Sequence, residues 1–382
     1  MVWCFIAIDI QMTTGLILPD FYRNPAHLAH EYNALFKAAW NFVGMRFELE
    51  GGLHRGIKVA DTDLLIQLDK SGKPRAYRNV CSHRHAQLCD QGLHHGPVRC
   101  PYHSWTYDRE GIPVGIPQQQ AFPEVVANPA AYRLQEFACE VAGQFIFVRL
   151  SENGPSLQDY LGEEFDFLCR ASTGMTSVHD EFRQEVEANW KVVIENSLEG
   201  YHVPAVHNKT FMQVEGMQRG YEAPVDHLEH PLHSHIVHPA DPEWLASFER
   251  RVEPKLGKWH WRFANYTHHL IFPNLTVTSF MGYSYHVQRF EPTAVDRTTV
   301  HSRSVGVGFE GQSAVGAKML EQIYSDSKHF TERVFGEDGD ICKAVQLGLN
   351  SAVNPAVIGN GIESRVAHFH RAYQAMLHAE AA

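Results

Sequence analysis

Two short stretches of this sequence place a cysteine and a histidine within easy reach of one cofactor. They are Cys81-Ser82-His83 and Cys100-Pro101-Tyr102-His103, separated by the sixteen residues from Arg84 to Arg99. Each loop offers one soft thiolate and one imidazole, so two loops can grip a group from two sides. That mixture suits a cluster of two irons with unlike ligands, two thiolates on one iron and two neutral imidazoles on the other. Replacing thiolates by imidazoles removes negative charge and raises the reduction potential into a range of about −150 to +300 mV. His83 and His103 would then sit on the outer iron, where an electron must leave. Two cysteines and two histidines are also a zinc set, but Cys-x-His is an unusual spacing for zinc.

A second group of metal-ligand types lies between Asn189 and His207. On a helix Glu195, Glu199 and His202 fall at i, i+4 and i+7 and share a face. His202 and His207 are five apart, which separates them on a continuous helix, but Pro204 interrupts it and can swing His207 back. Two histidines and one carboxylate on one side of an iron leave the other positions open for O2 and substrate. A His-x4-His pair alone is weak evidence in a chain with 25 histidines.

The wider context of both groups carries a resemblance. Cys81-Ser82-His83-Arg84 and Cys100-Pro101-Tyr102-His103-Ser104-Trp105-Thr106-Tyr107-Asp108 resemble the two cluster loops of Rieske proteins, above all those of ring-hydroxylating oxygenases. The run from Asn189 to His207 resembles the iron-binding segment of Rieske oxygenase α subunits, with His202 and His207 on its two histidine ligands. The resemblance implies a third ligand from the C-terminal helical region, where Asp338 in Gly336-Glu337-Asp338-Gly339-Asp340 takes the position. Asp340 competes, since a slip of two residues is easy, and Glu337 is expected to face solvent. Most family members place an aspartate three residues before the first histidine ligand. Here Glu199 stands there, which resembles the branch acting on quaternary ammonium and N-methyl compounds. By that carry-over Glu199 is a catalytic-site residue joining His202 to His103 of a neighbouring chain. The family usually has glycine where His85 follows Arg84. Neither His85 nor Cys89 is assigned a ligand role; Cys89 is expected as a buried free thiol.

What must position these groups is a chain of changing texture. Asn24-Pro25 reads as a helix start, with Leu28, Tyr32, Leu35, Phe36 and Ala39 at helical spacing towards Trp40. From there to about Leu150 short β runs such as Asp63 to Asp69 alternate with turns. Beyond Asn153-Gly154-Pro155, Leu157 to Arg170 and Trp190 to Tyr201 read as helices. Phe182 to Val186 reads as a strand, and Leu270 to Gly308 as a long antiparallel sheet. Two helices close the chain. The expected fold is α+β: an N-terminal helix over 1–40 packing on the catalytic domain, an all-β Rieske domain over 41–152, and a helix-grip catalytic domain over 153–382. A substrate pocket is expected from Phe211 to Asn274 and from Phe280 to Tyr285. That stretch offers Met212, Met217, Trp259, Trp261, Phe263, Tyr266, Phe280 and Tyr283, although aromatic residues at strand spacing are more often core than cage.

At 382 residues two domains are expected, and 44% hydrophobic with 20% charged residues is ordinary globular composition. A net charge of −11 with no basic run argues against nucleic acid. No apolar stretch reaches the roughly 18 residues needed to span a bilayer, so a soluble protein without a membrane partner is expected. Met1 to Gln11 is apolar but lacks a basic n-region and a cleavage site, and is expected to be an extension rather than a secretion signal. Seven scattered cysteines do not form a disulfide framework, which fits a reducing cytoplasm.

The resemblance implies a Rieske [2Fe-2S] cluster, mononuclear Fe(II), O2 as co-substrate and an NAD(P)H-dependent reductase. A ferredoxin, a homotrimer joined head to tail and a small β subunit are further family partners. Hydroxylation of a small aromatic substrate is the leading activity the sequence suggests. Oxidative attack on a quaternary ammonium or N-methyl compound stands beside it because of Glu199, and a pure electron carrier is the alternative of a different class.

Overall fold

The computed structural model describes residues 16–213 and 225–378, so the expectations for residues 1–11 and for Met217 fall outside the described residues. The chain forms two compact units. One runs Phe36–Ser172; the other joins the chain up to Leu35 to the chain from Thr173 onward.

The first unit is built from ten strands: β1 (Asn41–Met45), β2 (His54–Val59), β3 (Thr62–Leu68), β4 (Pro74–Arg78), β5 (Gly92–His94), β6 (Val98–Arg99), β7 (Thr106–Tyr107), β8 (Pro113–Gly115), β9 (Glu136–Ala142) and β10 (Phe145–Arg149). Seven form a sheet in the order β1-β10-β9-β4-β3-β2-β5, and β6-β7-β8 form a smaller one. Successive strand residues point to opposite faces, so β3 feeds two cores. Leu64 and Ile66 pack with Ala76, Ile146 and Val148. Leu65 packs instead with Tyr77, Leu88, Trp105 and Tyr107, and Cys81 and Cys100 belong to that second core. Helices α2 (Leu157–Leu161) and α3 (Glu163–Ser172) belong to this unit, whereas α1 (Pro25–Glu31) precedes it in the chain and belongs to the other. The stretch expected as one helix from Leu157 breaks at Gly162, whose φ is +54°. Both α2 and α3 pack on β9, so residues 157–172 group with the β unit rather than with the segment that follows.

The opening helix starts where expected: the Asn24 side chain accepts from Ala26 N at 3.1 Å and Pro25 takes the first position. It does not run evenly to Trp40. The turns widen over Tyr32–Phe36, and the Asn41 side chain, donating to Phe36 O at 2.7 Å and Ala39 O at 2.9 Å, closes the segment.

The second unit holds β11 (Met175–Val186), β12 (Val225–His227), β13 (Ser234–Pro239), β14 (Lys258–Trp259), β15 (Asn265–Ile271), β16 (Leu275–Phe280), β17 (Ser284–Ala294), β18 (Arg297–Val307) and β19 (Phe309–Glu310). Its antiparallel sheet runs β11-β18-β17-β16-β15-β13-β12. Among its helices are α4 (Trp190–Ser197), α5 (Val203–Val206), α6 (Pro242–Arg251), α7 (Ala314–Leu349) and α8 (Ser364–His378). One sheet face grips α7 and α8. The His286 ring stacks on Phe335 at 5.5 Å, Gln184 donates to Phe335 O at 2.8 Å, and Arg365 donates to Ser234 O at 3.2 Å. The expected α+β, helix-grip arrangement is present, with β11 longer than the strand expected at Phe182.

Helix α4 matters most, because the second candidate site follows it. Lys191 and Glu31 are both completely buried and paired at 2.6 Å. Glu31 also accepts from Trp190 Nε1 at 2.8 Å and Tyr373 Oη at 2.5 Å, so its lone pairs are well used. Burial pulls the Lys191 pKa down, and Glu31 works against that pull. Removing one member of such a pair costs about 3–5 kcal/mol, because the other is left charged and buried. On the same helix Glu195 accepts from Tyr22 Oη at 2.6 Å and lies 3.0 Å from His370 Nε2. The opening segment and α8 thereby hold α4 in place.

Candidate metal centres

The two loops of the β unit have the same backbone pattern. Cys81 N donates to Ala86 O at 2.8 Å and His85 N to Cys81 O at 3.0 Å; Cys100 N donates to Trp105 O at 2.8 Å and Ser104 N to Cys100 O at 3.0 Å. In each loop the residue four after the cysteine is left-handed, His85 at φ +59° and Ser104 at φ +61°. This explains the glycine preference at the position of His85, where a side chain costs about 1 kcal/mol. His85 itself is exposed. Cys89 is half-buried rather than buried, with Sγ 3.7 Å from Asn79 Oδ1, and burial pushes its thiol up to about 11.

Cys81 and Cys100 are almost fully buried, while the His83 and His103 rings lie 4.7 Å apart. His83 lies flat on Trp105, at 4.9 Å and 5°. The Nδ1 atoms of both histidines are buried without a hydrogen-bond partner among the described residues. Buried imidazole nitrogens that find no partner cost free energy unless something else binds them, and an iron ligand bond would use these lone pairs. The four ligand atoms are not among the described sets lying within 4.8 Å of one another, as a single tetrahedral zinc would require. Two buried thiols and two unpartnered imidazole nitrogens are the donor types a two-iron, two-sulfur cluster takes. Tyr107 Oη lies 3.1 Å from Cys81 Sγ, accepts from Ser82 N at 3.0 Å and lies 2.9 Å from Ser82 Oγ. A hydrogen bond to a ligating sulfur is one of the protein's levers on cluster potential.

In the other unit, α4 ends at Ser197, so the continuous helix expected through Tyr201 is not formed. The Glu199 carboxylate accepts from Tyr201 N and from His202 N, the latter at 3.1 Å. That side chain competes with the helical ladder for its donors, and Gly200 lies within the break. The chain then restarts in α5 with Pro204 in its first turn, and this turn brings the two histidines together. His202 Nε2 lies 3.5 Å and His207 Nε2 3.1 Å from Asp338 Oδ1. Ligand atoms of His202, His207 and Asp338 all fall within 4.8 Å of one another. Asp338, not Asp340, meets the histidines.

Each ring has its own carboxylate on its far nitrogen. His202 Nδ1 lies 2.5 Å from Glu199 Oε1. His207 Nδ1 lies 2.7 Å from Glu337 Oε2, which also accepts from Thr210 Oγ1 at 2.6 Å. Glu337 therefore does not simply face solvent, as the sequence suggested. Fixing Nδ1–H on a carboxylate sets the tautomer and presents Nε2 to a metal. Asn196, which the sequence reading missed, donates to Asp338 Oδ1 at 2.8 Å and fixes that carboxylate. Burial opposes charging the imidazoles, but Asp338 and Glu199 outweigh it and hold His202 up at about 9. Burial likewise works against ionised Asp338, yet His202, His207 and Asn196 hold it down at about 2. With neutral imidazoles the set carries the charge of three carboxylates around a mixed N,O site, which suits a divalent iron. Beside it stand Phe211, 5.7 Å from His207, and Phe330, 5.1 Å from Phe211.

The suspected pocket aromatics divide. Trp259 donates to Met281 O at 2.9 Å. Phe280 packs on Trp244 of α6 at 5.0 Å, and Tyr283 stacks on Phe248 at 6.1 Å. Phe280 and Tyr283 are half-buried against α6, and Trp259 is buried.

A family model for the catalytic domain of ring-hydroxylating α subunits matches residues 174–379. The chain belongs to this ring-hydroxylating α-subunit family. A Rieske [2Fe-2S] domain model matches residues 39–137 of this α subunit. It is 33% identical over 193 residues to the glycine betaine monooxygenase oxygenase subunit of Chromohalobacter salexigens, covering 49% of this chain and 42% of the relative. It is 29% identical over 194 residues to the carnitine monooxygenase oxygenase subunit of Acinetobacter pittii, covering 49% and 51%. The match thus spans about half the length of these relatives. Naphthalene 1,2-dioxygenase from Rhodococcus sp. shares the fold of this α subunit, with a TM-score of 0.78 at 19% identity over 98% of this chain and 97% of that one.

Proposed function

We propose that this α subunit is the terminal oxygenase component of a Rieske non-haem iron system. Cys81, His83, Cys100 and His103 would hold the cluster that takes up electrons, and His202, His207 and Asp338 would hold the iron that supplies O2 chemistry. The observation carrying this reading is the convergence of His202 Nε2, His207 Nε2 and Asp338 Oδ1 in a chain that also holds two matching Cys/His loops. A pure electron carrier would need only the β unit.

Bound iron supplies Lewis-acid and one-electron chemistry at the triad. The chain's residues supply the rest. Glu199 and Glu337 hold the Nδ1 protons, so that both Nε2 lone pairs face one point. Asn196 keeps Asp338 from rotating away, and Phe211 packs beside His207. Glu199 serves a second purpose by family analogy, as the bridge to His103 of a neighbouring chain, which makes a homotrimer the working unit. An NAD(P)H-dependent reductase, with or without a ferredoxin, would supply the electrons. No described helix is long and apolar enough to cross a membrane. None of the six described cysteines is in a disulfide, which supports a reducing cytoplasm.

For substrate, a quaternary ammonium or N-methyl compound is favoured over an aromatic ring. A glutamate at the position of Glu199 resembles that branch, and two relatives are named for glycine betaine and carnitine, both trimethylammonium compounds. The test is a product screen with a generic reductase, comparing trimethylammonium compounds with small aromatic acids. Oxidised N-methyl product supports the reading. Hydroxylated ring product alone overturns the substrate class while keeping the oxygenase.

A further inference from the structure

Arg84 and Tyr102 come from different cluster loops and hold none of the ligand positions. Both are exposed, yet they are ordered against each other. Arg84 Nη1 donates to Tyr102 Oη at 3.0 Å, and the guanidinium carbon lies 5.1 Å from the Tyr102 ring centroid. The Tyr102 ring in turn packs on His103, at 3.8 Å between centroids and 32° between planes. A flexible surface arginine loses side-chain entropy when held this way, and a planar guanidinium on an aromatic face with a hydrogen bond to its hydroxyl repays part of that.

We infer that Arg84, seated on Tyr102, is a positioned positive charge that eases entry of an electron into the cluster, while Tyr102 holds the His103 ring. The inference rests on the Rieske reading of the four ligands. A cluster that accepts one electron gains one negative charge, and a fixed cation nearby favours that state. Arg84 directly follows the ligand His83 in its loop, and Tyr102 directly precedes His103. Lysine at this position keeps the charge but loses the planar stack.

The test is the midpoint potential of the purified full chain, measured by spectroelectrochemistry with visible absorption as the check on cluster content. Arg84→Gln should keep the absorption and lower the midpoint, changing the oxidised-to-reduced ratio at fixed potential about two- to fivefold, or about 20–40 mV at roughly 59 mV per decade for one electron. Arg84→Lys should recover most of that shift, and added salt should shrink it because the charge is exposed. Tyr102→Leu, which removes the seat, should lower the midpoint by no more than Arg84→Gln does, and serves if Arg84→Gln does not retain its cluster. An unchanged midpoint in a fully loaded Arg84→Gln or Tyr102→Leu protein would overturn the inference, as would a Lys variant shifted as far as the Gln variant. Absence of cluster absorption from the wild type would instead sink the Rieske reading itself.

Discussion

Glu337→Ala gives the sharpest test of the triad's supporting structure. In the wild type the Glu337 carboxylate receives His207 Nδ1 at 2.7 Å and Thr210 Oγ1 at 2.6 Å, while His207 is 1% exposed. Truncation leaves a buried imidazole N–H with no acceptor, which costs about 1–3 kcal/mol. Thr210 loses less, since its hydroxyl already lies 3.5 Å from His207 O. Loss of a carboxylate behind a ligating histidine typically lowers metal affinity about 10- to 100-fold, or about 1.4–2.7 kcal/mol, and the two ranges agree. Competition with an Fe(II) chelator under anaerobic conditions measures it, with the cluster's visible absorption as internal control. Glu337→Gln keeps an acceptor without the charge and should lose only about threefold. Wild-type iron affinity in Glu337→Ala would refute the claim that this carboxylate orients His207.

Other predictions follow from the same geometry. His202→Ala and Asp338→Ala should lose the mononuclear iron and turnover but keep the cluster absorption, whereas Asp340→Ala should keep both metals; metal analysis of the three variants decides this. Glu199→Gln should retain iron at both sites but slow electron delivery, read as single-turnover oxidation of the reduced cluster, and a wild-type rate there would rule out the bridging role. Burial opposes ionised Glu291, but Arg289 and His301 outweigh it and hold it at about 2 against an ordinary 4.5. Its contribution to stability is therefore complete above about 4.5 and fades as pH falls towards about 2. Thermal melts should show Glu291→Gln less stable than wild type at neutral pH, with the gap closing through that window; a gap that stays constant would contradict it.

The two Cys/His loops were legible because all four proposed ligands sit in two short turns whose spacing is local. The histidine pair was legible for a similar reason, with Pro204 announcing the turn that joins the rings. Glu337 was misread because neighbours on a helix point about 100° apart, which suggests one inward and one outward residue. Instead His207 sits between the two directions, with Asp338 at Nε2 and Glu337 at Nδ1. The end of α4 before Glu199 was hidden by good helical spacing, which the carboxylate overrides by binding Tyr201 N and His202 N. No local pattern could announce the Glu31–Lys191 pair, whose members are 160 residues apart. Nor does spacing reveal that Asn196 turns towards Asp338 when the neighbouring Glu195 turns to Tyr22.

Metal content distinguishes two iron centres from any other occupancy of these residues. Purified, anaerobically reconstituted protein should contain about three irons and two acid-labile sulfides per chain, counting a two-iron cluster and one further site, and His202→Ala should contain about two irons with the sulfide unchanged. Zinc in place of iron and sulfide, or an iron count that His202→Ala leaves untouched, would contradict it.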